Sequence, residues 1–384
     1  MIPYGRQSIN DDDIAAVTEV LKSDFLTQGQ QVPNFEHELS KYVDAQFSIA
    51  VNSATSALHI ACLALGVGKD DYVWTSPISF VASSNCALYC GASVDFVDIN
   101  PHTYNLCPNA LRQKLEHHKQ YDLPLPKVVI PVHFSGQVCD MSAISILAEE
   151  FDFKIIEDAS HAIGATYLNK KVGSCEFSDI TIFSFHPVKI ITCGEGGMLT
   201  TNDKQLEKTI RMLRSHCITR ESNLLHNTTD PWYYEQQGLG YNYRMTDIQA
   251  ALGVSQLSRL DDFISARRNI AKQYKKTLSG LPITLPAQSS EQSSAWHLYV
   301  ITLDERKRLS IFKQLREAGI GVNVHYIPIY FQPFYQSLGF KKGLCPNAEV
   351  YYQSCITLPI YPDLNNEQQI QIVQSLKNLL LKDK

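Results

Sequence analysis

The feature that most constrains the fold of this chain is a regular alternation of short apolar segments with longer amphipathic ones. Segments with strand composition, at residues 47–51, 72–75, 94–97, 127–132 and 154–157, alternate with helical patterns at 54–65, 80–89, 108–118 and 141–151. Strands that alternate with helices at this spacing predict a parallel, doubly wound α/β sheet. Ligands of such sheets bind beyond the carboxyl ends of the strands, so polar residues at those ends are the first candidates for a site.

Small hydroxyl residues follow the first predicted strand, in the segment Asn52-Ser-Ala-Thr-Ser56. They lie where the helix 54–65 begins. Free backbone N–H groups, the helix dipole and the hydroxyls of Ser53, Thr55 and Ser56 together form a phosphate cradle there. An ordinary helix cap explains the same residues equally well.

Two charged residues follow later strands. Asp158 ends the segment Lys154-Ile-Ile-Glu-Asp158, where its carboxylate either caps the next turn or stabilises a cationic ring nitrogen in the cleft. Lys189 follows a strand predicted at 181–185, which carries Ser184. Glycines at 194, 196 and 197 permit a sharp turn or a close backbone approach after it. Because a loop lysine is ordinarily solvated, the significance of Lys189 depends on its neighbours.

A phosphate cradle, a strand-end carboxylate and a lysine in an apolar loop match what pyridoxal phosphate requires. This cofactor needs a site for its phosphate, an acid against its pyridinium nitrogen and a lysine that holds it as a Schiff base. Phe80 follows another predicted strand, where it either stacks on the cofactor ring or belongs to a helix core. The residues alone therefore predict a site for pyridoxal phosphate.

Composition argues against several other classes. A chain of 384 residues predicts two domains, since single cores stop growing near ~250–300 residues. A net charge of −5 without a long basic run argues against a nucleic-acid partner. A polar start and the lack of a long apolar run argue against a signal peptide and a membrane span, so we expect a cytoplasmic protein. The ten cysteines include no Cys-x-x-Cys pair, which favours reduced core residues over disulfides or a metal site.

The chain resembles the DegT-type sugar-nucleotide aminotransferases of the aspartate aminotransferase superfamily. The resemblance rests on segments that occur in family order over nearly the whole chain. They are Asn52-Ser-Ala-Thr-Ser-Ala-Leu58, Ser76-Pro-Ile-Ser-Phe-Val-Ala82, Glu157-Asp-Ala-Ser-His-Ala-Ile-Gly164, Phe183-Ser-Phe-His-Pro-Val-Lys189, Gly194-Glu-Gly-Gly197, Leu213-Arg-Ser-His216, Gly240-Tyr-Asn-Tyr-Arg-Met245 and Trp296-His-Leu-Tyr-Val300.

The resemblance implies a transferase of fold type I, with a large cofactor-binding domain over residues 1–250 and a smaller α+β domain over 251–384. In the second part we predict helices at 249–263, 266–278, 305–319 and 366–380 and a strand at 297–303. The resemblance also implies a homodimer with two active sites, each shared between the subunits. The cofactor contacts that it implies are Lys189 as Schiff base, Asp158 at the ring nitrogen, Ala54, Thr55 and Ser184 at the phosphate, Phe80 and His161 at the ring faces, and Asn242 from the other subunit.

The implied reaction moves an amino group from L-glutamate to the C4 ketone of a UDP-linked 4-keto-6-deoxy sugar, through a pyridoxamine phosphate form of the cofactor. The substrate contacts that we expect are Tyr4, Phe25, Leu26, Thr27, Arg214, His325, Tyr326 and Tyr330. Asp24 and Ile327 stand where the resemblance leads us to expect lysines, which leaves another UDP- or dTDP-linked 4-keto sugar as an alternative. A pyridoxamine-phosphate sugar dehydratase is a further alternative, against which Lys189 and the absence of clustered cysteines argue. An alternative of another class is a non-catalytic cofactor-binding regulator, which the presence of all the expected catalytic residues disfavours.

Overall fold

The computed structural model describes residues 1–226 and 230–381. The α-helices are α1 (Asp11–Leu21), α2 (Gln31–Val43), α3 (Ala54–Ala64), α4 (Ala82–Tyr89), α5 (Pro108–Gln120), α6 (Met141–Phe151), α7 (Lys204–Arg214), α8 (Asp247–Ser258), α9 (Leu260–Leu278), α10 (Glu305–Glu317), α11 (Pro333–Ser337), α12 (Pro346–Ser354) and α13 (Asn366–Leu381). Within the described ranges, every helix is too short or too polar for a membrane span.

The strands fall into one large sheet and several small ones. They are β1 (Phe47–Val51), β2 (Tyr72–Thr75), β3 (Ser93–Phe96), β4 (Val128–Ile130), β5 (Lys154–Asp158), β6 (Thr166–Tyr167), β7 (Lys170–Lys171), β8 (Ile180–Ser184), β9 (Gly197–Thr201), β10 (Ile218–Thr219), β11 (Glu235–Gln236), β12 (Ile283–Thr284), β13 (Gln292–Ser293), β14 (Tyr299–Leu303) and β15 (Cys355–Leu358). All five strands predicted between residues 47 and 158 are present, with shifted ends in three of them.

The large sheet has seven strands in the order β1-β9-β8-β5-β4-β2-β3. Only β9 is antiparallel to its neighbours, and the other strands run parallel. This confirms the predicted mostly parallel α/β sheet. Because β1, β5 and β8 share one direction, their carboxyl ends meet at one edge, which is where the polar strand-end residues were predicted to gather.

Both faces of the sheet are buried, as a doubly wound fold requires. Along β8 the side chains alternate between two cores: Ile180 and Ile182 lie in one, and Phe183 lies in the other. The period of two in a strand produces this alternation. The apolar and β-branched composition of 180–184 therefore reflects a strand covered on both sides.

The sequence prediction missed β9, which lies between β1 and β8. Gly197 opens this strand and pairs with Val51 on one side and Ser184 on the other. A Cβ on Gly197 would lie 2.5 Å from the carbonyl carbon of Ser53, closer than real Cβ contacts come. The predicted close backbone approach is confirmed here: glycine lets β9 run directly against the start of α3.

The C-terminal part is built on the three-stranded sheet β12-β14-β15, which shares one hydrophobic core with α9, α10 and α13. Its core contains Tyr274, Tyr299, Ile311 and Leu376. The predicted strand at 297–303 and helices at 305–319 and 366–380 correspond to β14, α10 and α13. The helix predicted over 249–263 is divided instead, because α8 ends at Ser258 and α9 begins at Leu260. The break is at Arg259, whose guanidinium binds the carboxylate of Asp13.

Candidate active site

A cavity of about 510 Å³ opens at the carboxyl edge of the large sheet. It is lined by residues that follow β1, β2, β5 and β8, together with the segment around residue 325. The predicted residues in its lining are Tyr4, Ala54, Thr55, Phe80, Asp158, His161, Ser184, Lys189, His325 and Tyr326. The cavity therefore brings together every predicted cofactor residue except Asn242.

The start of α3 forms one wall of the cavity. The Ser53 hydroxyl accepts a hydrogen bond from the Ser56 backbone N–H at 3.1 Å, so Ser53 caps the helix. Ala54 and Thr55 occupy the first two helical positions, where the N–H groups have no acceptor within the helix. Ser53 therefore caps α3, and the two residues that follow it, whose N–H groups are free at the helix start, line the cavity.

The Asp158 carboxylate lies at the end of β5, buried and held by two donors. Its Oδ2 accepts a hydrogen bond from the Ser83 hydroxyl at 2.6 Å, and its Oδ1 accepts one from the Ser160 N–H at 3.1 Å. The Ser83 hydroxyl in turn lies 2.7 Å from that of Ser79. Sequence analysis missed Ser83. The i, i+4 spacing of Ser79 and Ser83 after a predicted strand was the available signal, but it does not reveal contact with Asp158.

Lys189 lies in the segment between β8 and β9, and its side chain lines the cavity. Burial lowers the pKa of the Lys189 amine to about 8, although the Asp158 carboxylate acts in the opposite direction. No hydrogen-bond partner for Nζ occurs among residues 1–226 and 230–381. At pH 7 about a tenth of such an amine is neutral, compared with less than a thousandth of an ordinary lysine.

Neutral histidines form the wall near Lys189. The ring of His161 accepts the Ser135 N–H at Nδ1, 3.3 Å away, so its Nε2 carries the proton and faces the Tyr326 hydroxyl at 3.3 Å. Burial, with smaller effects of Lys189 and His325, lowers the pKa of His161 well below its ordinary value. Burial also lowers the pKa of His325 to about 3. The lysine is therefore the basic group of this wall.

Other predicted substrate contacts lie outside the cavity of this chain. Phe25, Leu26 and Thr27 are exposed. Just after them, the backbone N–H groups of Gly29 and Gln31 donate to the carboxylate of Asp247. Asn242 is likewise exposed. Both regions are on the surface, where a second chain has access to them.

Arg214 and Tyr330 are engaged elsewhere in the fold. Arg214 pairs with Glu36 at 2.6 Å and donates to the Ala50 carbonyl at 2.8 Å, in a separate cavity of about 210 Å³. Tyr330 is fully buried in a hydrophobic core, and its hydroxyl donates to Glu349 at 2.7 Å. The single chain therefore leaves neither side chain facing the cavity of Lys189.

The groups around the cavity fit pyridoxal phosphate. An amine of lowered pKa, a buried carboxylate held by hydroxyl and backbone donors, and a helix start with two free N–H groups are the three kinds of group that this cofactor requires. In the described part of the chain, no cluster of three or more His, Cys, Asp or Glu side chains is arranged for a metal ion. Together with the mostly parallel sheet, these groups define a class, the pyridoxal-phosphate-dependent transferases of fold type I.

Comparison with known proteins gives the particular family. The model of the DegT/DnrJ/EryC1/StrS aminotransferase family matches residues 7–377. The chain therefore belongs to this family and is an aminotransferase of fold type I, which confirms the resemblance inferred from its motifs.

Two curated relatives and one solved structure illustrate the range of similarity. The spore coat polysaccharide biosynthesis protein SpsC of Bacillus subtilis is 38% identical over 386 residues, covering 99% of this chain and 97% of that protein. The UDP-4-amino-4,6-dideoxy-N-acetyl-beta-L-altrosamine transaminase of Campylobacter jejuni is 38% identical over 389 residues, covering 100% and 99%. PseC of Helicobacter pylori, an aminotransferase of pseudaminic acid biosynthesis, superposes with a TM-score of 0.90 at 30% identity, covering 99% of each chain.

Proposed function

We propose that this protein is a sugar-nucleotide aminotransferase. In this proposal it transfers an amino group from L-glutamate to the C4 ketone of a UDP-linked 4-keto-6-deoxy sugar, UDP-2-acetamido-2,6-dideoxy-β-L-arabino-hexos-4-ulose. The observation that carries the proposal is the meeting of the Lys189 amine, the Asp158 carboxylate and the free N–H groups of α3 in one cavity. Full-length similarity to a Campylobacter transaminase of this kind supports the choice of sugar.

The residues of the chain divide the work of the reaction. When bound, pyridoxal phosphate supplies the electron sink that amino-group transfer needs. Its phosphate would be held by the N–H groups of Ala54 and Thr55 and by the Ser184 hydroxyl, and Asp158 would keep a proton on its ring nitrogen. Phe80 and His161 would flank the ring. His161 can serve as a neutral wall because burial lowers its pKa well below the ordinary value.

Lys189 would have two roles. Its neutral amine would hold the cofactor, and the lowered pKa of about 8 makes that form accessible. The same Nζ would act as the base that takes a proton from the α-carbon of glutamate. Asp158 acts against the lowering of the Lys189 pKa, so it partly favours the protonated amine.

The sugar would enter beside the aromatic wall of the cavity. Tyr4, His325 and Tyr326 lie there and are our proposed substrate contacts. The other predicted substrate contacts lie outside this cavity and stay predictions. They are the exposed Phe25, Leu26 and Thr27 and the packed Arg214 and Tyr330. We also propose a homodimer in which Asn242 of one subunit reaches the cofactor phosphate of the other.

A second candidate substrate is another UDP- or dTDP-linked 4-keto sugar. The observation in its favour is that SpsC, a spore coat polysaccharide protein, is as similar to this chain as the altrosamine transaminase is. Asp24 and Ile327, at positions where the resemblance leads us to expect lysines, point the same way. A non-catalytic regulator is disfavoured because the predicted catalytic groups are all present.

The test is to incubate the protein with pyridoxal phosphate, L-glutamate and a panel of UDP- and dTDP-linked 4-keto sugars, and to identify the aminated product by mass spectrometry and NMR. We expect 4-amination of the UDP-linked L-arabino-hexos-4-ulose at the highest kcat/KM. A preference for another sugar would support the second candidate. If glutamate converts no bound cofactor to its amine form, the proposal that glutamate is the amino donor fails.

A further inference from the structure

One positive charge is held in the interior of the C-terminal part, outside the cavity. Arg267, in α9, is 1% exposed, and arginine is almost never buried to this degree unless it is paired. Among residues 1–226 and 230–381, no carboxylate lies within salt-bridge distance of its guanidinium, and its Nε has no hydrogen-bond partner. Burial lowers the pKa of Arg267 to about 10, so the side chain is still charged at pH 7. The proposed reaction uses no part of this side chain, so its burial needs a separate explanation.

The partners of this guanidinium are backbone carbonyls. Its Nη1 donates to the carbonyl oxygens of Trp296 at 3.2 Å, His297 at 3.3 Å and Ile360 at 3.0 Å. The first two residues precede β14 and the third follows β15, and these two strands are antiparallel neighbours. One nitrogen atom of Arg267 therefore joins two chain segments at the same end of the small sheet.

The segment that contains His297 supports one side of the cavity. The ring of His297 lies 4.3 Å from the ring of His161, between centroids. In the next residue, the Leu298 N–H donates to the carbonyl of Ser135 at 3.2 Å. The Ser135 N–H in turn donates to Nδ1 of His161 at 3.3 Å. The carbonyls that Arg267 holds are thus next to the contacts that orient His161 in the cavity wall.

Trp296 has a backbone conformation that needs such support. Its φ of 51° lies in the left-handed region, which is strained for a bulky residue. Strain of this kind persists only where the surrounding structure fixes the backbone. The Trp296 N–H donates to the Ser294 hydroxyl at 3.1 Å, and its carbonyl accepts from Arg267. Arg267 therefore helps to hold the strained turn from which the His297 segment begins.

The segment that contains Ile360 supports the other side of the cavity. The Ile360 N–H donates to the carbonyl of Tyr4 at 3.1 Å, and the Ile360 carbonyl accepts from Arg267. The Tyr4 ring lines the cavity and lies 5.4 Å from the ring of His325, between centroids. Through a single residue, Arg267 is therefore connected to the aromatic wall beside which the sugar is proposed to enter.

We propose that Arg267 is a positioning residue for the amino-group transfer, whose guanidinium fixes the backbone that orients His161 at the cofactor ring and Tyr4 at the sugar. This role rests on the proposed function, which assigns those two positions. Arginine suits it because the planar guanidinium presents its N–H donors in a fixed geometry. Without Arg267 the three carbonyls lose their shared donor and the wall is free to shift. A misplacement of about 1 Å can lower a rate about 100-fold.

The first experiment replaces Arg267 by Met, an apolar residue of similar length, and by Lys. The matched control is Gln369→Leu. Gln369 is buried and its side-chain amide donates to the Ile270 carbonyl of α9 at 2.8 Å, so this variant also removes a buried donor to a backbone carbonyl. Steady-state kinetics are measured with the sugar nucleotide that the unmodified protein aminates, and stability by urea denaturation. We expect kcat/KM to fall about 10- to 100-fold in Arg267→Met and less in Arg267→Lys. Gln369→Leu should lose stability only.

The second experiment needs no turnover. The apoprotein is labelled with 15N-histidine, and the ring nitrogens of His161 are observed by NMR and assigned with a His161→Gln variant. In the unmodified protein we expect a single tautomer with the proton on Nε2, because Nδ1 accepts the Ser135 N–H. Arg267→Met should give a mixture of the two tautomers, and Gln369→Leu should leave the signals unchanged.

The proposal is overturned if His161 keeps its single tautomer in Arg267→Met, or if kcat/KM falls no further than in Gln369→Leu. Should Arg267→Met fail to fold, Arg267→Lys decides by the same two comparisons. If the unmodified protein aminates no sugar nucleotide, the proposed function fails, while the NMR comparison still tests whether Arg267 positions His161.

Discussion

Partial burial of an amine without a counter-ion in hydrogen-bonding contact makes Lys189 chemically distinct from the other lysines that the structure describes. The penalty for holding a charge away from water favours the neutral amine, and the Asp158 carboxylate only partly restores the charged form. With its pKa lowered to about 8, the Lys189 amine is mostly protonated at pH 7 but easily loses its proton. This suits a group that is proposed to act both as nucleophile and as base.

We predict that covalent incorporation of pyridoxal phosphate into the apoprotein accelerates as the pH rises through about 8. The sign follows from the lowered pKa of Lys189, because only the neutral amine reacts and its fraction grows until the pH exceeds that value. The measurement is the mass of protein trapped with borohydride after short incubations between pH 6 and 10. Lys189→Ala should trap no cofactor at this site and should have no turnover. A rise centred near pH 10 would mean that burial does not perturb this lysine.

Ser83 is expected to act through Asp158. Ser83→Ala removes the donor to Oδ2, and a hydrogen bond to a charged group contributes about 1.5–3 kcal/mol, so kcat should fall about 10- to 100-fold. Asp158→Asn should lower kcat further, because it removes the charge that is proposed to keep the ring nitrogen of the cofactor protonated. Steady-state kinetics with a verified substrate provides the measurement.

Ser84→Ala is the matched control for Ser83→Ala. Ser84 is the next residue of α4 and equally buried, but its hydroxyl lies 2.6 Å from that of Tyr335 and not near the cavity. We expect it to lower stability without a comparable loss of kcat. Equal kinetic effects of the two substitutions would show that Ser83 is structural only.

At the scale of elements, the start of α3 depends on how closely β9 lies against it. Gly197→Ala would bring a Cβ to 2.6 Å from the Ala54 nitrogen, one of the proposed phosphate donors. Neither backbone segment is free to move, because β9 is paired on both sides. We predict a loss of about 1–3 kcal/mol in unfolding free energy from overpacking, with weaker cofactor binding, measured by urea denaturation and equilibrium titration.

Gly68→Ala serves as the control for that substitution. A Cβ on Gly68 meets nothing within 4 Å, and its φ is not in the left-handed region. We expect stability and cofactor affinity to stay near those of the unmodified protein. If Gly197→Ala behaves in the same way, the close approach of β9 and α3 does not shape the phosphate site.

At the scale of the whole molecule, a shared site makes a distinctive prediction. Mixing Asn242→Ala with Lys189→Ala protein should restore up to about a quarter of the activity. In a random mixture half of the dimers are mixed, and one of the two sites of each is intact. Size-exclusion chromatography and native mass spectrometry would establish that mixed dimers form.

The control mixes two differently tagged Lys189→Ala preparations, which should remain inactive. Lack of recovery in verified mixed dimers of Asn242→Ala and Lys189→Ala would place Asn242 outside the partner's site. The domain boundary at residue 250 and the cytoplasmic location stay predictions at this scale.

The sequence by itself determined the parallel sheet and about half of the residues that line the cavity. The hydrophobic patterns of strands and helices depend only on residues close in sequence, so they can be read without the structure. Parallel strands then bring their carboxyl ends to one edge of the sheet. Ala54, Asp158 and Lys189 were therefore predictable as neighbours, although more than a hundred positions separate the first from the other two.

The tertiary structure alone decided which side chains are free to face that cavity. Ser83 reaches Asp158, Arg214 is held by Glu36, and Tyr330 is buried in a core, although all of these residues look polar or amphipathic in the sequence. The position of β9 between β1 and β8 belongs to the same category. These outcomes depend on long-range packing, since a buried polar group takes whichever partner the fold brings to it, and no local pattern in the sequence specifies that partner.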